Sequence, residues 1–140
     1  MSHTMKSMWG LFIGTAALTT LVAAPLRAET NQGKAAYLKY CSACHGESAK
    51  GDGVVSGFMQ PKPTDLTQLA KQNHGEFPML LVVQGIDGTK TVRAHGDSAM
   101  PVWGETFRRE GVGASVMSPE ANVRGKVMLI ADYLRGIQEK

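Results

Sequence analysis

At 140 residues the chain has room for one domain of ordinary size. Hydrophobic residues make up 43% and aromatic ones only 6%, so the core is thin, and 16 glycines point to a loop-rich chain that needs a staple. The formal charge of +3 comes from scattered residues with no basic block, which argues against nucleic acid as a partner.

Residues 1–28 read as a secretory signal. Lys6 supplies the positive start, no charge falls from Ser7 to Leu26, and Arg27-Ala28 closes the segment. The rival reading is an uncleaved membrane anchor, since the uncharged run is nearly long enough to span. Gly10, Gly14, Thr15, Thr19, Thr20 and Pro25 dilute that run and favour cleavage after Ala28. The expected organisation is a signal over 1–28 and one exported, periplasmic domain over 29–140, with no membrane span after cleavage. Lys6 and Arg27 leave with the signal, so 13 basic residues then face 12 acidic ones, a net charge of +1.

Within that domain, residues 33–40 join the helix formers Lys34, Ala35 and Ala36 to apolar Tyr37 and Leu38. This predicts a short helix running into Cys41-Ser42-Ala43-Cys44-His45. Gly46, Gly51, Gly53, Gly57, Pro61 and Pro63 then deny regular structure. A loop that long is functional or is wrapped on something. Asp65-Leu66-Thr67 opens another short segment that ends near Gly75. Residues 77–84 are apolar, with Pro78 suited to a helix's first turn, and Gly85-Ile86-Asp87-Gly88 reads as a turn. Residues 89–104 read as irregular. Ser118-Pro119-Glu120 is a helix start: a capping Ser, Pro at the first position, an acid in the first turn. Val123, Val127, Ile130, Leu134 and Ile137 then recur at spacings of three and four, one apolar face up to about residue 138. No strand pattern and no repeat emerges, so the expected class is all-α.

Cys-x-x-Cys-His is the c-type haem attachment pattern. Two thiols at that spacing reach the two vinyl groups on neighbouring edges of a porphyrin, and the next residue is delivered beneath the iron. Covalent attachment also retains the cofactor outside the cell. Three rivals explain less. A zinc site usually needs four ligands, and the domain offers no second Cys pair, only His74 and His95. A thioredoxin-type motif follows a strand, and a disulfide leaves His45 unexplained. The expectation is one haem c anchored by Cys41 and Cys44, with His45 as an iron ligand.

For the sixth iron position the domain offers Met59, Met79, Met100, Met117 and Met128. Methionine is usually core filler. Met79 and Met128 fall on helical segments and Met117 just before a helix cap, whereas Met59 and Met100 sit in loops able to cross the distal face. Met100 is favoured, because Ala99-Met100-Pro101-Val102-Trp103-Gly104 joins a rigid Pro to an indole that can close a pocket edge. His74 and His95 are the weaker alternatives, imidazole being a good iron ligand.

These residues resemble class I cytochromes c over most of 33–138. Gly33-Lys34-Ala35-Ala36-Tyr37 is similar to the family's first helix, and Cys41 to Gly46 to its attachment site. Gly51-Asp52-Gly53 and Pro63 to Thr67 resemble the loop on the proximal side, and His95 to Gly104 the distal-ligand loop. Ala131-Asp132-Tyr133-Leu134 is similar to the terminal helix. The resemblance implies a small fold with terminal helices packed across each other, Gly33 at the crossing and Tyr37 against Tyr133. It also implies loops around one covalent haem, Met100 as the sixth ligand, and electron transfer rather than enzymatic turnover. With both axial positions filled, the iron can only change oxidation state. The implied partners are transient redox donors and acceptors, such as a periplasmic dehydrogenase or a terminal oxidase. The rival class is a haem protein with an open or labile distal site, a gas sensor or weak peroxidase. One departure concerns Val54, where many relatives carry a Pro whose carbonyl accepts the axial histidine's hydrogen bond. At Val54 a carbonyl remains available for that bond, but the rigidity that Pro gives is lost. Residues 108–117 match no family element.

Overall fold

The computed structural model describes residues 25–89, 100–113 and 116–139, with side chains from residue 31 onward. The expected signal core, and His95 with the residues before Met100, lie outside the described residues. The helices are α1 (Pro25–Tyr40), α2 (Ser42–His45), α3 (Leu69–Gln72), α4 (Met79–Asp87), α5 (Trp103–Gly111) and α6 (Pro119–Gly136). Short 3-10 turns cover Ser56–Phe58 and Leu66–Gln68. No strand occurs among the described residues, and the fold is all-α, as the sequence predicts.

α6 starts as its sequence dictates. Ser118 Oγ accepts from the Ala121 N–H at 3.2 Å, and Pro119 takes the first turn, where its missing N–H costs nothing. Val127, Ile130 and Leu134 are buried, and Val123 and Ile137 flank them at the edge of the same core. The helix is the hub of the molecule and packs against α1, α4 and α5. At the α1 crossing, Tyr37 is wholly buried, and its ring meets Tyr133 at 5.3 Å between centroids. Such aromatic pairs contribute about 0.5–1.5 kcal/mol beyond the area they bury. Gly33 permits the approach: a side chain there would collide with the Leu129 carbonyl of α6.

Three segments differ from the sequence reading. α1 begins at Pro25 and runs across the expected cleavage point after Ala28. Gly85-Ile86-Asp87 is the last turn of α4, not a separate turn, because burial of Ile86 holds it in the helix. Gly88 closes the helix with a left-handed φ of 78°, a frequent helix ending that glycine adopts without a Cβ clash. Residues 103–111, read partly as irregular, form α5. Gly104 is not a breaker there: it is buried, and a Cβ on it would lie 2.6 Å from the Asp87 carbonyl oxygen. The glycine brings the start of α5 onto the end of α4.

Candidate haem site

Cys41 follows directly on α1 and donates its backbone N–H to the Tyr37 carbonyl at 2.8 Å. The single turn of α2 then carries Cys44 and His45. Tyr37, from the buried face of α1, donates its hydroxyl proton to the Gly46 carbonyl at 2.6 Å, which ties the motif to the helical core. Cys41 and His45 are buried and Cys44 is partly exposed, and the two thiols are not bonded to each other. Burial pushes the Cys41 thiol up to about 12, with the neighbouring Cys44 adding to the effect. Before attachment it is therefore a thiol at neutral pH, unlike the low-pKa thiolate of a redox-active pair. Among the described residues no cluster of three or more His, Cys, Asp or Glu side chains could hold a metal ion. The motif also follows a helix rather than a strand, so the thioredoxin reading loses its context.

The proximal loop meets His45 from below. His45 Nδ1 lies 3.0 Å from the Thr64 carbonyl oxygen. A carbonyl only accepts, so the proton sits on Nδ1 and the Nε2 lone pair is the one offered to a metal. This corrects the sequence reading. The acceptor is Thr64, one residue past Pro63, and Val54 is a surface residue, 85% exposed. The loop is fastened nearby by Gly51 N–H to His45 carbonyl at 2.8 Å and Leu66 N–H to Ala49 carbonyl at 2.8 Å.

Two adjoining clefts meet at this motif. The first runs past Tyr40, Cys44, Met59, Pro61 and Trp103, the second past Thr64, Leu66, Val82, Ile86 and Leu134. Cys41, His45 and Met100 line both. Their largely apolar walls, with a few convergent polar groups, are those of a cofactor site. Both thiols, an imidazole with a fixed tautomer and a thioether thus face one apolar crevice, a donor set that fits a covalently held iron porphyrin.

The candidate methionines separate. Met59 reaches only the first cleft, and Met79 reaches neither. Met117 and Met128 are exposed. His74 sits exposed in the turn after α3 and lines neither cleft. Sequence reasoning missed the roles of Thr64 and Tyr40, which line the crevice, and of Phe107, which packs behind its wall. Tyr40 packs edge-on against Trp103 at 5.3 Å and against the buried Phe107 at 4.9 Å, so α1 and α5 share the wall. Outside it, Glu110 accepts from Tyr40 Oη and from Lys126 Nζ, each at 2.5 Å, with Lys39 Nζ at 3.6 Å. Those partners, Lys126 first and Tyr40 next, hold the Glu110 carboxyl down at about 2. The Trp103/Phe107 spacing of four and the Glu105–Arg109 pair were the available signals for this helix.

A family model described as cytochrome c oxidase, cbb3-type, subunit III matches residues 28–116. The chain belongs to that family. It is thus a class I c-type monohaem cytochrome, and covalent haem c is its cofactor. The matched stretch includes the attachment motif and the Met100 loop and ends before α6. No curated protein and no solved structure matches the chain. The cytochrome's family chemistry is electron transfer through haem.

Proposed function

We propose that this cytochrome is a periplasmic one-electron carrier with one haem c, anchored by Cys41 and Cys44 and ligated axially by His45 and Met100. The observation that carries the reading is the convergence of these four side chains on the same crevice. Bound haem supplies reversible Fe(II)/Fe(III) chemistry. The chain's residues decide how that chemistry is used. The Nδ1–H of His45, held by the Thr64 carbonyl, fixes the ring plane and makes Nε2 a stronger donor. The Met100 thioether is soft and neutral, which favours ferrous iron and raises the potential. Tyr40, Trp103 and Ile86 wall the crevice and limit water, while Cys44 lies at its more open edge.

Residues 1–28 act as an export signal in this reading, and 29–140 remain as the working domain. Among the described residues no helix is long and apolar enough to cross a membrane. The partners are transient redox proteins, and the family's description favours a terminal oxidase as acceptor over a dehydrogenase as donor. Carbon monoxide tests the closed iron. The ferrous protein at neutral pH is expected to cycle reversibly with ferric without forming a carbonyl complex. Stoichiometric binding would mean an open distal site and a gas-sensing or peroxidatic role.

A further inference from the structure

The end of the chain is fastened to the loop that holds the axial histidine. Gln138 follows the last residues of α6, and its side-chain amide is fully engaged. Nε2 donates to the Leu134 carbonyl of α6 at 2.7 Å and to the Leu66 carbonyl of the proximal loop at 2.8 Å. Oε1 accepts from the Ala70 N–H at 2.8 Å. Both N–H donors of the amide are therefore spent on backbone carbonyls of two different elements. Glu139 adds a second set of bonds. Its N–H donates to the Thr67 carbonyl at 2.9 Å, and its carboxylate takes Gln68 Nε2 at 2.6 Å and Lys50 Nζ at 2.7 Å.

On its other side the same segment accepts the His45 proton at the Thr64 carbonyl. Asp65 stiffens the link between the two, its carboxylate accepting from the Thr67 N–H at 2.9 Å and the Thr67 hydroxyl at 2.6 Å. A continuous path of short bonds thus runs from the end of α6 through residues 64–70 to the imidazole. Of the two tail residues, Gln138 matters more. Its amide is partly buried and aimed at backbone, whereas the Glu139 side chain bonds only to exposed groups that water screens, its one backbone bond coming from its own N–H.

We infer that Gln138 is a positioning residue for the axial imidazole: it holds the 64–67 segment where the Thr64 carbonyl can accept the His45 proton, and so helps set the iron's potential. The inference rests on the reading of His45 as an iron ligand. A partner that accepts the outer N–H of a ligating histidine raises its basicity. If the carbonyl drifts, the ring becomes a weaker donor, ferric iron is less stabilised, and the potential rises.

The test uses the holoprotein and compares the parent with Gln138→Met, Gln138→Asn and a control, Arg135→Ala. Met keeps the length and loses every bond. Asn keeps the amide on a shorter stem. Arg135 sits on the exposed side of the same helix end, paired with Asp132. Two readouts are taken: the midpoint potential, and the NMR signal and exchange rate of the His45 Nδ1 proton. Gln138→Met is expected to raise the potential by about a threefold change in the ferrous-to-ferric ratio, about 28 mV at 59 mV per tenfold, and to speed proton exchange. Gln138→Asn is expected to shift both in the same direction, and it carries the test if the Met variant does not mature. Arg135→Ala leaves both unchanged. A Gln138 variant that melts lower but keeps the parent potential and proton signal would overturn the inference, since Gln138 would then only fasten the tail. A parent protein without haem-shifted His45 ring resonances would overturn the ligand reading itself, and this inference with it.

Discussion

The α1/α6 crossing predicts opposite outcomes for one chemical change made at two places. Gly33→Ala adds a methyl where the Leu129 carbonyl of α6 already stands, with Tyr133 Cβ 3.0 Å away. The obstacle is backbone, which cannot rotate aside as a side-chain end can, so the two helices must separate. Gly125→Ala adds the same methyl within α6, facing open space. In a helix interior Ala is favoured over Gly by about 0.8–1.0 kcal/mol, and that term is common to both variants. The difference between them therefore isolates the collision. Overpacking costs about 1–3 kcal/mol, and a rigid neighbour places this case toward the upper end. Gly125→Ala should thus stabilise by up to ~1 kcal/mol, while Gly33→Ala should destabilise by as much as ~2 kcal/mol. Urea denaturation of the two holoproteins, followed by helical circular dichroism, measures both. In a domain of this size each 1 kcal/mol also moves the melting temperature by roughly 4–8 °C. Two variants of equal stability would refute the close helix crossing.

Three further outcomes follow from the same geometry. Haem should stay on the chain through denaturation and acidic organic extraction, adding one haem to its mass, and Cys41→Ser with Cys44→Ser should yield apo chain; haem that washes out of the parent would contradict thioether attachment. Tyr133→Ala removes a ring that is 8% exposed and packed on Tyr37, a loss of about 3–5 kcal/mol, so the melting temperature should fall markedly with the haem still attached; an unchanged melting point would sink this packing. Glu110 is depressed from 4.5 to about 2, chiefly by Lys126 and Tyr40, so its stabilisation is present above 4.5 and is lost as pH falls through about 2. At neutral pH Glu110→Gln should cost at most ~1 kcal/mol, because the pair is partly exposed, and the gap to the parent should shrink steadily from pH 4.5 to about 2 in acid-titration melts; a gap that kept its full neutral-pH size at pH 2 would contradict the ion pairing.

The parts of the site that were legible in sequence are those where local chemistry decides. Cys41, Cys44 and His45 depend on spacing alone. Ser118-Pro119-Glu120 starts α6 through its own capping atoms, and the three–four spacing of Val127, Ile130 and Leu134 names the buried face. Gly33, Tyr37 and Tyr133 came from the resemblance and meet as it implies. What stayed hidden depends on partners distant in the chain. Every residue has a carbonyl, so nothing at Thr64 marks it as the acceptor for His45, and the carbonyl available at Val54 is not that acceptor. Gly104 looks like a helix breaker until the Asp87 carbonyl is placed beside it. The Gln138 amide has three backbone partners on three elements, none of which a sequence pattern can pair.

The assignment of Met100 is tested most directly by the ferric visible spectrum of three holoproteins: the parent, Met100→Ala and Met59→Ala. Both methionines line the first cleft, but only Met100 also reaches the second. The parent should show the weak far-red band of thioether-ligated ferric haem. Met100→Ala should lose that band and bind cyanide, and Met59→Ala should keep it. A Met100→Ala protein that retains the parent spectrum would contradict the account and move the sixth ligand to another side chain.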